Sequence, residues 1–506
     1  MTSRIQNVFV LMLENRSFDH MLGFSALTGT DAETGQPTKV NGLASTESNS
    51  YQGQAYPVGQ PGADWSMPVD PGHEFPDVLI QLCGPNATYP PGGPYPPIDN
   101  SGFVSDYAAS PSKKDGEGNA PDNFGEIMKC YATGTQLPVL YALAKEFAVC
   151  DRWHASIPGP TWPNRFFVHA ASSGGLDHSP TTAEIATWES FAGFAFVNGT
   201  IFDRLSAHNP NSPWRIYRGA STPWEGSIPC VSALKGIDLS NTRYFDHFAQ
   251  DLMQSSYPWP YTFIEPNYGD ITGNTYIGGT SQHPRDDVRN GEGLIKATYE
   301  ALRKSPLWEQ SLLIITWDEH GGFFDHVAPP TAVPPGDTQP GSQHNQYGFA
   351  FDRYGVRVPA VVVSPLIGRN VIDHRLYDHS SIPKALESIF GLDPMTDRDR
   401  HSADPSTLLT LSDPRTDTPQ QLPDPAQAAA MARARIAAVP QTNPGASIDQ
   451  GNLPGLLAVV LRAELQSSPA SEHAAIMARF RAIKTRRDAQ QYLADVQRKL
   501  QAAERL

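Results

Sequence analysis

The sequence predicts an α/β fold: a three-layer α/β/α sandwich around a mostly parallel central sheet, with a loop-rich cover and a helical C-terminal tail. Continuous apolar runs at residues 7–13 and 311–317 each stop at a carboxylate. Such runs are typical of strands that are buried on both faces of a parallel sheet. Apolar residues at helical spacing occur in 137–148 and 291–304. Alternating buried strands and helices indicate this fold class.

Residues 261–264 and 358–363 are shorter apolar runs, which predict two further strands of the same parallel sheet. The segment 28–125 differs because it is rich in Gly, Pro, Ser and Asn, which is loop chemistry rather than a core. A structureless stretch of this length is unusual inside a domain, so we expect it to fold over the sheet as a cover and pocket rim.

We expect a catalytic domain at residues 1–411, a linker at 412–424 and a helical extension at 425–506. Apolar residues at helical spacing near the C-terminus predict that the extension packs on the catalytic domain. Residues 471–506 hold eight Lys/Arg and four Asp/Glu, so the alternative is a basic amphipathic helix on an anionic membrane.

Composition excludes several classes of function. The chain has 506 residues and a formal net charge of −15, which argues against a nucleic-acid partner. Four scattered cysteines form no CxxC pair, so neither a zinc ribbon nor a dense disulfide framework is expected. No run reaches the ~18 apolar residues of a membrane span. The N-terminal run does not read as a signal peptide, so a cytoplasmic location is expected, with signal-independent export or a removed signal as the alternative.

Polar side chains follow two of the predicted strands. Glu14 and Asn15 come after the first run, and Asp318 and Glu319 after the later one. In parallel α/β sheets, ligands bind beyond the carboxyl ends of the strands. Carboxylate and amide oxygens are hard ligands that suit a divalent cation. The alternative is a polar hydrogen-bond network that caps the sheet.

A third segment runs from Ser156 through a Pro-Gly-Pro turn into a predicted helix. Thr161 would lie at the helix N-terminus, where N–H groups and the helix dipole favour an anion. Taken alone, Thr161 is an N-cap. Beside a metal, the same hydroxyl would become a nucleophile.

These segments resemble the bacterial phospholipase C/acid phosphatase family, a phosphoesterase family similar to the alkaline phosphatases in fold. The matching motifs are ENRSFDH, GPTWPNR, DEHGGFFDH, DPGHE, FIEPNY and YDHSSI, spread over roughly residues 5–400. The resemblance implies one divalent metal ion held by Glu14, Asn15, Asp318 and Glu319. It also implies a covalent phospho-enzyme on Thr161. Many members of the family begin with a twin-arginine export signal, and the long members carry extra C-terminal β domains; neither feature is expected of this chain, which resembles the short members.

Further roles are expected around the phosphate. His283 resembles the family's active-site histidine, and it either donates to a phosphate oxygen or protonates the leaving alkoxide. His73 is a candidate phosphate donor. Asn164, with the backbone N–H groups after Thr161, would hold the non-bridging oxygens. Arg165 either contacts phosphate or pairs with Asp151.

His326 and His320 flank the metal strand, and one of them is expected to orient a carboxylate. We count His326 with the catalytic residues, against a structural hydrogen bond as the alternative. An oxygen-rich ligand set leaves the metal open among Ca, Mg, Mn, Fe and Zn.

The predicted function is a metal-dependent phospholipase C that cleaves a glycerophospholipid of the phosphatidylcholine type through a phosphothreonine. An acid phosphatase on the same residues is the alternative, and a non-catalytic binding protein is a third reading. A serine lipase is disfavoured because no G-x-S-x-G elbow occurs. The expected partner is a phospholipid or small phosphate ester, with at most peripheral membrane contact.

Overall fold

The computed structural model describes residues 4–113, 123–185, 192–211, 213–220, 224–337, 344–427, 443–449 and 451–502. The strands in these ranges are β1 (Asn7–Leu13), β2 (Thr28–Asp31), β3 (Pro37–Lys39), β4 (Ser48–Tyr51), β5 (Gln54–Pro57), β6 (Ala148–Cys150), β7 (Arg215–Arg218), β8 (Arg243–Tyr244), β9 (Tyr261–Glu265), β10 (Ser311–Trp317), β11 (Ala360–Val363) and β12 (Val371–Asp373). Ten of them form one sheet in the order β3-β2-β12-β6-β11-β10-β1-β9-β7-β8, and β4 and β5 form a separate hairpin.

The α-helices of the described ranges lie between and after these strands in the chain. They are α1 (Phe18–Leu22), α2 (Phe75–Cys83), α3 (Phe103–Lys113), α4 (Thr133–Gln136), α5 (Pro138–Glu146), α6 (Thr161–Ala170), α7 (Thr182–Ile185), α8 (Ile201–His208), α9 (Phe248–Leu252), α10 (Val288–Lys304), α11 (Ser381–Phe390), α12 (Asp397–His401), α13 (Leu453–Gln466), α14 (His473–Arg481) and α15 (Arg486–Ala502). Among these residues, no helix is long and apolar enough to span a bilayer.

The centre of the sheet confirms the predicted α/β class. Strands β1 and β10 have the predicted bounds and pair in parallel, with Asn7 opposite Ser311 and Leu13 opposite Trp317. Every residue of both strands is buried, as an uninterrupted apolar run predicts. Because the two strands are parallel neighbours, their carboxyl ends lie side by side.

One strand prediction was wrong in direction. The run 358–363 does contain a strand, but β11 is antiparallel to both of its neighbours, β10 and β6. Local composition shows that a strand is buried, whereas the path of the connecting chain decides its direction. The sheet is therefore mostly parallel.

The segment 28–125 contains more regular structure than its composition indicates, and its role as a cover and pocket rim stays a prediction. It adds β2 and β3 to the edge of the main sheet and carries α2 and α3. Phe75, Val78 and Phe103 belong to a second buried hydrophobic cluster, separate from the core beneath the central sheet. This cluster is shared with residues from outside the segment, among them Phe167, Phe323 and Phe349.

The C-terminal helices are tied to the rest of the molecule. Phe480, Tyr492 and Val496, which have the predicted helical spacing, are buried. The Arg462 guanidinium on α13 donates to the carbonyl of Leu234 at 2.7 Å. The predicted helical content of 428–442 lies outside the described residues, and the division at 412–424 stays a prediction.

Candidate active site

The four predicted metal ligands meet at the carboxyl ends of β1 and β10. The backbone N–H of Asn15 donates to Asp318 Oδ1 at 2.9 Å, and the Asn15 side-chain amide donates to Glu319 Oε1. Asn15 has a φ of 60°, a left-handed conformation that turns the chain sharply at the end of β1. Glu14 is held by its N–H, which donates to the carbonyl of Ser281 at 2.9 Å.

Several oxygens of this group have no protein partner. Glu14, Asn15 and Thr161 are fully buried. Within the described ranges, Glu14 Oε2, Asn15 Oδ1 and Thr161 Oγ1 accept or donate no hydrogen bond. A buried polar oxygen without a partner is costly, and native structures contain few of them. Three such oxygens on neighbouring segments fit a cation or a polar ligand that completes the site.

Electrostatics favour the same interpretation. Burial raises the pKa of Glu14 well above its ordinary value, and the charge of Asp318 raises it further. Burial also raises the pKa of Glu319, against the opposing influence of His73. A dense set of buried carboxylates repels itself when ionised, so the donor set fits a divalent cation.

Thr161 opens helix α6, one residue after Pro160 at the N-cap position. Arg165 lies one turn later on the same helix face. Its Nε donates to Asp318 Oδ2 at 3.0 Å and its Nη2 to the carbonyl of Leu13 at 3.0 Å. These two bonds hold the first turns of α6 against the ends of β1 and β10, and Thr161 begins this helix.

Arg165 pairs with Asp318 and not with Asp151. Asp151, its predicted alternative partner, instead accepts hydrogen bonds from the His374 ring at 2.9 Å and from the N–H of Asn41 at 2.7 Å. Arg165 Nη1 has no hydrogen-bond partner in the described part of the chain. Arg165 thus pairs with a predicted metal ligand and keeps one N–H-bearing nitrogen unpaired.

Asn164 does not have the predicted geometry of a phosphate ligand. Its Oδ1 accepts from the N–H of Ile157 at 3.1 Å, and its Nδ2 donates to the carbonyls of Gly159 and Pro160 at 2.8 and 3.0 Å. The amide is therefore used to brace the turn before Thr161. Pro163 has no N–H, so Trp162 is the residue after Thr161 that offers a backbone donor in the first helical turn.

His73 lines a cavity, and His283 lies behind the wall of this cavity, stacked on the lining residue Tyr276. The His283 ring is buried and stacks on Tyr276, with centroids 3.4 Å apart and an interplanar angle of 5°. Its Nε2 lies 3.6 Å from Asp70 Oδ1, and its centroid lies 6.4 Å from that of His73. Asp70, His73 and Tyr276 line a cavity of about 410 Å³, together with Glu74 and Asp77.

His326 does not join this group, which corrects its predicted place. Its Nδ1 contacts Asp19 Oδ2 at 2.6 Å and its Nε2 contacts Asn41 Oδ1 at 3.2 Å. His320 is the histidine that meets a predicted ligand, with its Nδ1 3.3 Å from Glu319 Oε2. Burial lowers the pKa of His320 to about 3, so its ring is neutral near pH 7.

Residues of the C-terminal segment also reach the site, and sequence reasoning missed them. The Asn452 side-chain amide donates to Glu14 Oε1 at 3.0 Å, across 438 positions of sequence. Asp449 and Arg486 line the cavity. No motif marks these residues. Asp70 and Tyr276 were also missed, although Asp70 shares the DPGHE segment with His73.

Comparison with known proteins places the chain in a family. A model of the Phosphoesterase family matches residues 5–393. Non-specific phospholipase C6 of Arabidopsis thaliana is 35% identical over 441 residues, which cover 83% of this chain and 75% of that protein. Phospholipase C B of Mycobacterium tuberculosis (strain ATCC 25618 / H37Rv) is 28% identical over 416 residues, which cover 77% of this chain and 74% of that protein.

Solved structures are more distant. A protein in the alkaline phosphatase superfamily from Vibrio parahaemolyticus is 14% identical, covers 53% of this chain and 64% of its own, and has a TM-score of 0.30. Alkaline phosphatase from the Antarctic bacterium TAB5 is 11% identical, covers 77% of this chain and 99% of its own, and has a TM-score of 0.23. At these scores the family match carries the assignment. The chain is an enzyme of the Phosphoesterase family.

Proposed function

We propose that this enzyme is a metal-dependent phospholipase C that hydrolyses the phosphodiester of a glycerophospholipid through a phosphothreonine on Thr161. The observation that carries the proposal is the set of buried oxygens without protein partners at Glu14, Asn15 and Thr161. The names of the relatives, which are phospholipases C from a plant and a bacterium, support a phospholipid as the substrate.

Glu14, Asn15, Asp318 and Glu319 are the residues that would hold the metal, beside the Thr161 hydroxyl. When bound, a divalent cation supplies positive charge that lowers the pKa of a neighbouring hydroxyl and offsets the negative charge of the phosphate. The unpaired Nη1 of Arg165 and the N–H of Trp162 remain as donors to non-bridging phosphate oxygens.

In the first step, Thr161 Oγ1 forms a bond to phosphorus while the bond from phosphorus to the diacylglycerol oxygen breaks. His283 gives a proton to the leaving oxygen, and the Thr161 hydroxyl proton passes to solvent. The proton that His283 gives would come from its Nε2, since Nδ1 accepts from the N–H of Arg285 at 3.4 Å, and Asp70 Oδ1 lies 3.6 Å from Nε2.

In the second step, water attacks phosphorus and gives a proton to His283. The Thr161 oxygen leaves and regains a proton from solvent. Diacylglycerol and the phosphorylated headgroup are the products, and both residues return to their starting states.

The test uses the purified chain with phosphatidylcholine vesicles, measuring released diacylglycerol and phosphocholine. We expect a chelator to abolish release and a divalent metal to restore it. Thr161→Ala should lower kcat by about 10³-fold or more, since removal of a nucleophile leaves only binding and electrostatic contributions. An acid-quenched reaction should carry a phosphocholine group on the Thr161 peptide, detected by mass spectrometry.

Thr298→Ala is the matched control, because Thr298 is also fully buried in a helix but bonds the Leu294 carbonyl at 2.9 Å. Full activity in Thr161→Ala would refute the nucleophile. Faster turnover of p-nitrophenyl phosphate than of p-nitrophenylphosphorylcholine would favour the acid phosphatase alternative. Activity that is indifferent to chelation would remove the metal from the proposal.

A further inference from the structure

We propose that Asn452, supplied by the C-terminal segment, is a positioning residue that orients the Glu14 carboxylate toward the metal. The inference rests on the proposed function, since it assumes that Glu14 binds a metal. It gives the C-terminal helices a part in building the site.

The two carboxylate oxygens of Glu14 differ in their hydrogen bonding. Asn452 Nδ2 donates to Oε1 at 3.0 Å, whereas Oε2 has no partner among the residues that the structure describes. Both side chains are buried, Glu14 completely and Asn452 to 5% exposure. A carboxylate held by one oxygen in this way presents the other oxygen in a fixed direction.

Asn452 makes this bond at the expense of its usual local role. It occupies the N-cap position of α13, where asparagine normally accepts a hydrogen bond from the first turn of the helix. Its side chain makes no such bond, and Pro454 in that turn has no N–H to donate. The amide therefore serves Glu14 instead of its own helix.

Close packing fixes where α13 begins. A Cβ atom added to Gly455 would lie 2.1 Å from the Trp162 ring, so the helix backbone lies directly against this ring. Trp162 follows Thr161 in the chain. The start of α13 is thus located against the helix turn of Thr161, and Asn452 lies three residues earlier, beside Glu14.

The hydrogen bond from Asn452 is expected to increase the affinity of the Glu14 carboxylate for a cation. A carboxylate that is already oriented loses less side-chain freedom when it binds a cation. Partners that orient a metal ligand commonly change metal affinity by about 10- to 100-fold when they are removed.

The test measures metal affinity, which a merely structural role would not change. Metal-free wild type, Asn452→Leu and Asn452→Ala are titrated with Mn²⁺ and with Ca²⁺ by calorimetry, after circular dichroism has compared their thermal unfolding. Asn452→Leu removes the donor and keeps a similar volume. Asn452→Ala removes the same donor without adding atoms, so it tests the same loss of metal affinity if the Leu variant does not fold. Gln466→Ala is the control, since this amide at the far end of α13 contacts Asp238 at 3.3 Å.

We expect the Kd of the better-bound metal to rise about 10- to 100-fold in the Asn452 variants and to stay within about twofold in Gln466→Ala. An unchanged Kd in a folded Asn452 variant, with tight binding by wild type, overturns this proposal alone. A wild type that binds neither metal overturns the metal-dependent function and this proposal with it.

Discussion

Two groups of buried carboxylates follow the same pair of strands, and they differ in how their oxygens are satisfied. The open cluster is formed by Glu14, Asn15, Asp318 and Glu319. The closed cluster is formed by Asp19, Asp325, His326 and Arg357.

The closed cluster is saturated by protein groups. Arg357 is fully buried and donates to Asp325 Oδ1 at 2.9 Å and to Asp19 Oδ1 at 3.0 Å. The second oxygen of Asp19 accepts from the N–H of His326 at 2.7 Å, and that of Asp325 accepts from the N–H of Asp19 at 3.1 Å. By contrast, oxygens of Glu14 and Asn15 in the open cluster have no partner within the described residues.

The difference separates two uses of buried charge. A carboxylate pair neutralised by a buried arginine holds the fold together, and its removal leaves an uncompensated charge. A carboxylate group with unpaired oxygens depends on a ligand that the chain does not supply. The open cluster is therefore expected to govern activity, and the closed cluster to govern stability.

The largest effect is expected for Glu14→Gln in the open cluster. Loss of a charged metal ligand should lower phospholipid hydrolysis by on the order of 10³-fold. The metal-free variant should unfold at the same free energy as wild type or a higher one, because a buried, mutually repelling charge is gone. Steady-state kinetics and urea unfolding check the two expectations. A large loss of metal-free stability would mean that Glu14 is structural.

Arg357→Leu is the corresponding change in the closed cluster. It leaves the carboxylates of Asp19 and Asp325 buried without their shared cation, which should lower the free energy of unfolding by about 3–5 kcal/mol. Urea unfolding of the variant measures this loss. A variant as stable as wild type would show that the closed cluster does not support the fold.

A smaller effect is expected for His178, in a third, closed group beside the cavity. Its ring contacts Asp177 at 3.0 Å and Glu184 at 2.8 Å. Burial alone would lower the pKa of His178, but the hydrogen bonds to Asp177 and Glu184 outweigh it and raise the pKa to about 9. The stabilisation is therefore fully present below the unfolded pKa near 6.5 and is lost as the pH rises through about 9.

His178→Gln should then lower the free energy of unfolding by roughly 1–2 kcal/mol at pH 6 and by progressively less toward pH 10. Urea unfolding of both proteins across this pH range gives the difference. A difference that grows with pH would contradict the protonated state of His178.

The smallest effect is expected for His326→Gln. His326 is partly exposed and contacts Asp19 rather than the open cluster. Arg357 still donates to Asp19 and Asp325 in this variant. We therefore expect the free energy of unfolding to fall by at most about 1 kcal/mol. The rate of phospholipid hydrolysis should change less than about threefold. A kcat loss of 10²-fold or more would restore the catalytic role predicted from the sequence.

The sequence predicted the parts of this molecule that are encoded locally. An apolar run that stops at a carboxylate gave the bounds of β1 and β10, and with them the neighbourhood of Glu14 and Asp318. The direction of β11 could not be predicted, because it depends on the connections and not on the composition of the run. The role of Asn164 was mistaken because phosphate-binding and turn-bracing amides look alike in sequence.

Long-range contacts were also out of reach. Asn452 donates a hydrogen bond to Glu14 from the opposite end of the chain. Arg165 pairs with Asp318 rather than with Asp151 because α6 packs on the ends of the strands. Neither contact has a local signature. The second hydrophobic cluster joins apolar residues of 28–125 to distant ones such as Phe323 and Phe349, and it was hidden because Gly and Pro are frequent around the apolar residues of that segment.

The most direct test of this account is the position of a metal in the protein. Among the residues that the structure describes, Asp19, Asp325 and His326 bring three potential ligand atoms within 4.8 Å of one another, whereas Glu14, Asp318 and Glu319 do not, so the closed cluster is a real competitor. Crystals grown with Mn²⁺ would locate the ion by its anomalous scattering. We expect a peak about 2.0–2.6 Å from oxygens of Glu14 and Asp318. A peak at the closed cluster, with none at the open cluster, would contradict the account.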